Sequence, residues 1–339
     1  MKKRTSIYDI AKYLNVSPAT VSYVINGKKK VSEETQKKVF AAIEELGYVP
    51  DHNARTLSTG KSHLIGLFLP LDDASIAFLQ NPFYVEFIGG LEQGIANYDY
   101  DIVIGYKKNQ NNFKDWAISR GLDGIVMLGT YPKNVYEDIK KLNIPVVLTD
   151  VYEEYAEEFH NIRIDDEKGM YLSTKHLIEN GHTNIGFVGA RSYSLVDKTR
   201  YKGYIKALKE NNIEVDENNV FECFATFDDG YNIADKILAN KNITGVVCSA
   251  DIIAIAVVKR FKELGKEIPK DLSIVGFDDI QDAKYIFPGV TTIRQDIGKK
   301  GNNAAKIIID CLENESNVNK VITLEPRLVK RESVKNIKK

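Results

Sequence analysis

The stretch SIYDIAKYLNVSPATVSYVING, residues 6 to 27, decides the architecture of the N-terminal part of the chain. Ile7, Ile10, Ala11 and Leu14 recur at helical spacing, and Val21, Val24 and Ile25 do so again after a break of only a few residues. That spacing predicts two short helices joined by a very tight turn. Ser17 can accept a hydrogen bond from a free amide at the start of the second helix, where Pro18 gives up only an N–H that would be unsatisfied anyway. A turn this tight needs a residue with positive φ, which Asn15 tolerates in place of Gly. The small Ala11 lets the helices approach closely. The pair reads as a helix-turn-helix, whose second helix enters a DNA major groove with its N-terminal residues at the base edges. A third helix is expected at about Glu33 to Leu46, capped by Ser32 and ended by Gly47, with Val39, Ile43 and Leu46 closing a small three-helix core.

Charge distribution outside this stretch agrees with such a head. The 339 residues carry a net charge of -1, yet residues 1 to 60 hold ten Lys or Arg against six Asp or Glu. A small basic segment therefore precedes a mildly acidic body. The 43% hydrophobic content is enough for sizeable cores, and the length suggests two or three domains. No apolar run approaches a membrane span, and MKKRTSIYDI turns polar where a signal peptide would need its apolar segment, so a cytoplasmic protein with no membrane partner is expected. Cys223, Cys248 and Cys311 are far apart and in no metal-ligand spacing, and read as buried free thiols.

Residues 6 to 27, followed by VSEETQKKVFAAIEELGYVPDHNARTLSTG, resemble the headpiece of the LacI/GalR (lactose-repressor/galactose-repressor) family of bacterial transcription regulators. Asn15 stands where the family usually has Gly. The resemblance implies DNA contacts from Thr5, Tyr8, Ser17, Pro18, Ala19, Thr20, Ser22, Tyr23 and Asn26. Pro18 and Ala19 offer only apolar contact, so Tyr23 has to supply most hydrogen-bonded base discrimination, with Thr20 and Ser22 suited to phosphates. Lys2, Lys3, Arg4 and Lys28 to Lys30 should bind phosphates in a salt-dependent way. DHNARTLSTG, residues 51 to 60, matches the family's hinge helix, adding Asn53, Ala54 and Arg55, and Leu57 as the wedge at a central base step. Wedging needs two copies, hence a homodimer on a pseudo-palindromic operator.

From residue 62 the chain alternates short apolar runs with amphipathic helices. HLIGLFLP, YDIVIGY, LDGIVMLG and IPVVLTD form one series of buried parallel strands; NIGFVGA, FECFATF, GVVCSA and LSIVGFDD form a second. The same family resemblance covers this region and implies the periplasmic sugar-binding-protein fold. The expected fold is thus an all-α helix-turn-helix headpiece with hinge helix, followed by a two-lobed α/β body of two doubly wound parallel sheets. Its boundaries are 1–50, 51–61 and 62–339, with one lobe at about 62–161 plus 291–321 and the other at 162–290 plus 322–339.

A ligand cleft should lie at the carboxyl ends of the strands. The resemblance carries ligand contacts onto Arg200 and Asp278, a planar fork of donors and a carboxylate suited to vicinal hydroxyls, with Asp150 and Asp251 as further candidates. Ala250 replaces a usual Asn, and Ala225 stands where an aromatic is common, leaving Phe224 or Phe227 to stack. The segment DDASIAFLQ, residues 72 to 80, lengthens the loop before Asn81, Pro82, Phe83 and Tyr84, as in maltose-type members of the family. It suggests a disaccharide or oligosaccharide effector stacked on Phe83, Tyr84 or Phe78. Alternatives are a purine effector, or a phosphorylated protein corepressor using a basic patch around Arg294, Lys299 and Lys300. No cofactor is called for, and no nucleophile elbow, His-Glu metal motif or useful His/Asp pair argues for an enzyme; His182 reads as a cap of the turn after a helix.

Overall fold

The computed structural model describes residues 5–25, 31–48, 60–70, 81–106, 113–314 and 320–338. The hinge segment with Asn53, Ala54, Arg55 and Leu57, the basic residues 2–4 and 28–30, Asn26, and the loop 72–80 with Phe78 lie outside the described residues. The chain divides into two compact units, Met1–Ser62 and His63–Lys339.

In the first unit, helices α1 (Ile7–Leu14), α2 (Pro18–Ile25) and α3 (Glu33–Glu45) enclose a core of Ile10, Ala11, Val21, Val24, Val39, Ala42 and Tyr48. Among the described residues, the caps of α1 and α3 and the turn between α1 and α2 have their causes in the sequence. Ser6 and Asp9 form a reciprocal capping box at α1. Asn15 adopts the left-handed conformation (φ 53°, ψ 45°), and the Val16 N–H returns to the Ala11 carbonyl at 3.0 Å. Ser17 Oγ accepts from the Thr20 amide at 3.1 Å, Ser32 caps α3, and Gly47 takes φ 58° just beyond it.

In the second unit, six parallel strands lie side by side: β11 (Val321–Leu324), β5 (His160–Ile164), β4 (Val146–Thr149), β3 (Gly124–Leu128), β1 (Leu64–Leu69) and β2 (Asp101–Tyr106). A second parallel sheet has the order β7 (Val220–Phe221), β6 (Ile185–Val188), β8 (Gly245–Cys248) and β9 (Ser273–Val275). β3, β4, β6 and β8 are buried along their whole length, as strands covered on both faces must be. An antiparallel pair, β10 (Thr292–Arg294) with β12 (Arg327–Val329), joins the second sheet through bridges Val275 to Thr291 and Asp278 to Arg294.

These pairings move the lobe crossovers. Residues 160–164 and 321–324 pair within the first sheet, and 292–294 attach to the second. The chain therefore changes lobe after Ile164, Arg294 and Leu324, two to three residues beyond the positions expected from sequence (162, 291 and 322). The expected positions follow from the family resemblance, whereas the pairing of this chain's own backbone sets where each crossing falls.

Two helix pairs set the position of the cleft. α4 (Pro82–Ile95) lies against α12 (Ile297–Asn314), where a Cβ on Gly90 would fall 2.0 Å from the Gly298 carbonyl oxygen. α7 (Asp166–Glu179) lies against α8 (Leu195–Glu210), where a Cβ on Gly203 would fall 2.0 Å from the Glu167 carbonyl oxygen. Only glycine permits either approach.

Candidate functional site

On the first unit, the residues expected to read DNA form one outward face of α2. Ser17, Pro18, Ala19 and Tyr23 are exposed, and Thr20 and Ser22 are half-buried. Tyr8 is exposed on α1. Thr5 differs from expectation in one respect, for its hydroxyl donates to the Leu46 carbonyl at 2.9 Å and so ties the chain entry to the end of α3. It can still accept a hydrogen bond.

On the second unit, a cavity of about 550 Å³ lies between the lobes at the strand ends, inside the size range of small-molecule sites. Five expected residues line it: Phe83, Tyr84, Asp150, Arg200 and Asp278. Asn81 caps α4 by accepting from the Phe83 amide at 3.1 Å, which fixes Phe83 and Tyr84 in the first turn. Asp150 follows β4 with φ 58°, in the left-handed region that Asp tolerates better than most residues, and Asp278 follows β9 with φ 126°, outside that region.

Two expected residues lie elsewhere. Asp251 is fully buried at the start of α10 (Asp251–Glu263), accepting from Thr292 Oγ1 at 2.5 Å and from the Ile280 amide at 3.0 Å. It braces the second lobe from within, and burial pushes its carboxyl up to about 7. Phe227 opens α9 (Phe227–Ala239) and stacks along that helix on Tyr231, leaving Phe224 to line the cavity. Tyr193, Asp197 and Gln295 also line it and were not expected. Cys311 is only half-buried, 3.3 Å from His160 Nε2, whereas Cys223 and Cys248 are buried as expected.

Beneath the cavity runs a chain of charged and amide groups. Lys300 of α12, wholly buried, donates to both Asp150 oxygens at 2.7 and 2.8 Å and to Gln295 Oε1 at 2.7 Å. Gln295 Nε2 donates to Asp278 Oδ1. Arg200 Nη1 lies 3.9 Å from that same oxygen, Arg200 Nε donates to Asp166 at 2.6 Å, and the guanidinium lies 3.7 Å from the centre of the Phe277 ring. Burial works against the Arg200 charge, but the carboxylates of Asp166, Asp278 and Asp197 outweigh it and hold the group protonated. Burial also raises Asp150, Asp197 and Asp278, opposed at Asp150 by Lys300 and at Asp278 by Arg200. Burial and the Asp278 carboxylate push the Tyr84 hydroxyl up to about 12, so it remains a donor at neutral pH.

The suggested basic patch is reduced by the same geometry. Lys300 is inside the protein, and Arg294 Nε donates to Asp279 at 2.5 Å. His182 sits at the turn after α7, its Nδ1 2.9 Å from Thr244 Oγ1, and its Nε2 donates to the Lys335 carbonyl at 3.0 Å. Among the described residues no group of three His, Cys, Asp or Glu could hold a metal ion, and no helix is long and apolar enough to cross a membrane.

A helix-turn-helix unit followed by a two-lobed α/β unit with a ligand-sized cleft defines a ligand-responsive DNA-binding regulator. Residues 6–51 match the description "Bacterial regulatory proteins, lacI family", and residues 174–334 match "Periplasmic binding protein-like domain". The HTH-type transcriptional repressor PurR of Pasteurella multocida is 32% identical over 340 residues, covering 98% of this chain and 99% of that protein. The fold matches that of the lac repressor dimer bound to operator and the anti-inducer ONPF, with a TM-score of 0.85 at 23% identity, covering 98% of this chain and 100% of the other. A LacI family regulator from Enterococcus faecium with bound ribose superimposes with a TM-score of 0.72 at 26% identity, covering 81% of this chain and 100% of the other. The chain belongs to the LacI family of bacterial transcription regulators, whose matched relatives are repressors rather than enzymes.

Proposed function

We propose that this repressor controls carbohydrate genes from the cytoplasm, binding a pseudo-palindromic operator as a homodimer whose affinity is set by a neutral sugar of two or more rings. The observation that carries the sugar reading is the pairing of Asp278 with Arg200 in a cavity walled by Phe83, Tyr84, Tyr193 and Phe224. Asp278 Oδ1 accepts from Gln295, which leaves Oδ2 for ligand hydroxyls, while Arg200 has N–H groups beyond those spent on Asp166 and the Ser249 carbonyl. Aromatic walls suit the apolar face of a sugar ring. Three carboxylates line the cavity, and its nearby cations, Arg200 and Lys300, are already paired, so a neutral ligand fits better than an anionic one.

Exposed apolar side chains support the dimer. Ile104 and Tyr106 on edge strand β2, Ile118, and Tyr285 and Phe287 in the second lobe all face solvent in the single chain. Ligand binding between the lobes favours one arrangement of them, which two subunits transmit to their hinge segments. A coupling of about 1 to 3 kcal/mol suffices.

A purine effector is the second reading, favoured by the name PurR of the 32% identical relatives and equally served by aromatic walls. Thermal unfolding of the purified protein with glucose, maltose, cellobiose, sucrose, trehalose, glucose 6-phosphate, hypoxanthine and guanine separates the two. A ligand at a hundred times its dissociation constant adds about 2.7 kcal/mol, which raises the midpoint by several degrees. A disaccharide shift that also changes operator affinity supports the proposal. A shift with a purine alone, or with the sugar phosphate alone, overturns it.

A further inference from the structure

Beside the main cavity the second lobe carries a smaller one of about 280 Å³, and the two share Ala190, Tyr193 and Phe224 as a common wall. Tyr193 is 74% exposed and Phe224 53% exposed, with ring centres 5.4 Å apart and planes tilted by 41°. The wall is built rather than incidental. Ser192 Oγ donates to Glu222 Oε1 at 2.7 Å and the Tyr193 amide to the Ala190 carbonyl at 2.9 Å, which holds the loop after β6 against the end of β7. On the far side, Thr226 caps α9 by accepting from the Asp229 amide at 3.2 Å, setting Asp229, Asn232 and Lys236 along the helix face that borders the small cavity.

Two large aromatic side chains kept this exposed forgo the stabilisation of burial, a cost offset when a ligand covers them. The position of the pair, between two cavities, means that one ligand can use both sides. We propose that the small cavity is a second ligand subsite, taking the next ring of an oligosaccharide whose first ring occupies the main cavity. The proposal rests on the sugar reading above and goes further, because it assigns the ligand's length and direction. Asp229 can only accept, Lys236 can only donate, and Asn232 can do both, so together they match the mixed hydroxyl edge of a pyranose while Tyr193 and Phe224 take its apolar face.

Calorimetric titration of the full-length protein with glucose, galactose and ribose, and with maltose, cellobiose, sucrose and trehalose, tests it. At least one disaccharide should bind tenfold or more tightly than its component monosaccharide. Asn232→Ala and Lys236→Ala, on the solvent face of α9 and bordering only the small cavity, should bring that ratio down toward one. An unaltered ratio in both variants overturns the subsite while leaving the sugar reading in place; equal affinity for one and two rings in the parent protein overturns the subsite and the two-ring part of that reading, leaving a sugar effector of one ring. Absence of binding by every sugar overturns both.

Discussion

Lys300 Nζ lies 2.7 and 2.8 Å from the two carboxylate oxygens of Asp150, and the lysine, wholly buried, cannot turn to water in its place. The pair also reaches across the lobes, through Gln295 at the crossover to Asp278 in the second lobe. Removing one partner of such a pair leaves an uncompensated buried charge. Lys300→Met should therefore cost about 3 to 5 kcal/mol in urea unfolding, and Asp150→Asn in the same chain should recover a large part of it. Additive losses in the double variant would contradict this coupling.

Arg200 tests the cleft itself. Its fork is held by Asp166 and by the Ser249 carbonyl, and a lysine offers one point charge in place of that plane of donors. Arg200→Lys should leave far-ultraviolet circular dichroism unchanged and lower affinity for the ligand found by thermal screening at least tenfold. Unchanged affinity would remove Arg200 from the ligand contacts.

Local spacing made the head legible. Among the described residues, the caps of α1 and α3 and the turn between α1 and α2 are set by residues within a few positions of one another, from Ser6 with Asp9 to Asn15, Ser17 and Ser32. Arg200 and Asp278 were reached through the family resemblance, and both line the cavity. Lys300 was not, because a Lys-Lys pair in an amphipathic helix reads as solvated. Its signal was nevertheless present: Ile297, Lys300, Gly301, Ala304, Ala305 and Ile308 recur at helical spacing, and all are buried. Asp251 and Phe227 show the converse limit. Both follow strand ends closely in sequence, yet the backbone after β8 turns Asp251 toward Thr292, and α9 begins at Phe227 itself. Sequence position locates the rim of the cleft, but the direction of each side chain is fixed by contacts remote along the chain.

Asp251 also gives a pH dependence. The folded protein keeps its proton up to about pH 7, whereas the unfolded chain releases it near 3.8, so between these values the folded state binds more protons. Stability from this group is present at acid pH and is lost as the pH rises toward 7. Asp251→Asn removes that titration. At about 1.4 kcal/mol per pH unit, the variant's unfolding free energy relative to the parent should improve by roughly 2 to 3 kcal/mol between pH 5 and 8. A difference that stays constant with pH would show that Asp251 is ionised throughout.

Tyr23 and Leu57 divide recognition between half-site and centre. Tyr23 is the exposed side chain on α2 with a hydrogen-bonding tip and enough reach for a base edge. Tyr23→Ala should relax base preference at one or two positions in each half-site, read by selection from a randomised operator, with each lost preference worth about 1 to 3 kcal/mol. Leu57, in the segment that resembles the hinge helix, should act at the centre of the operator instead. An apolar wedge works only where the duplex can kink, so Leu57→Ala should weaken specific operator binding far more than binding to random duplex. Filter binding at one salt concentration on both DNAs measures the ratio, because phosphate contacts vary with salt alike for both. Equal losses on the two DNAs would assign Leu57 to a general contact and leave the central base step to another residue.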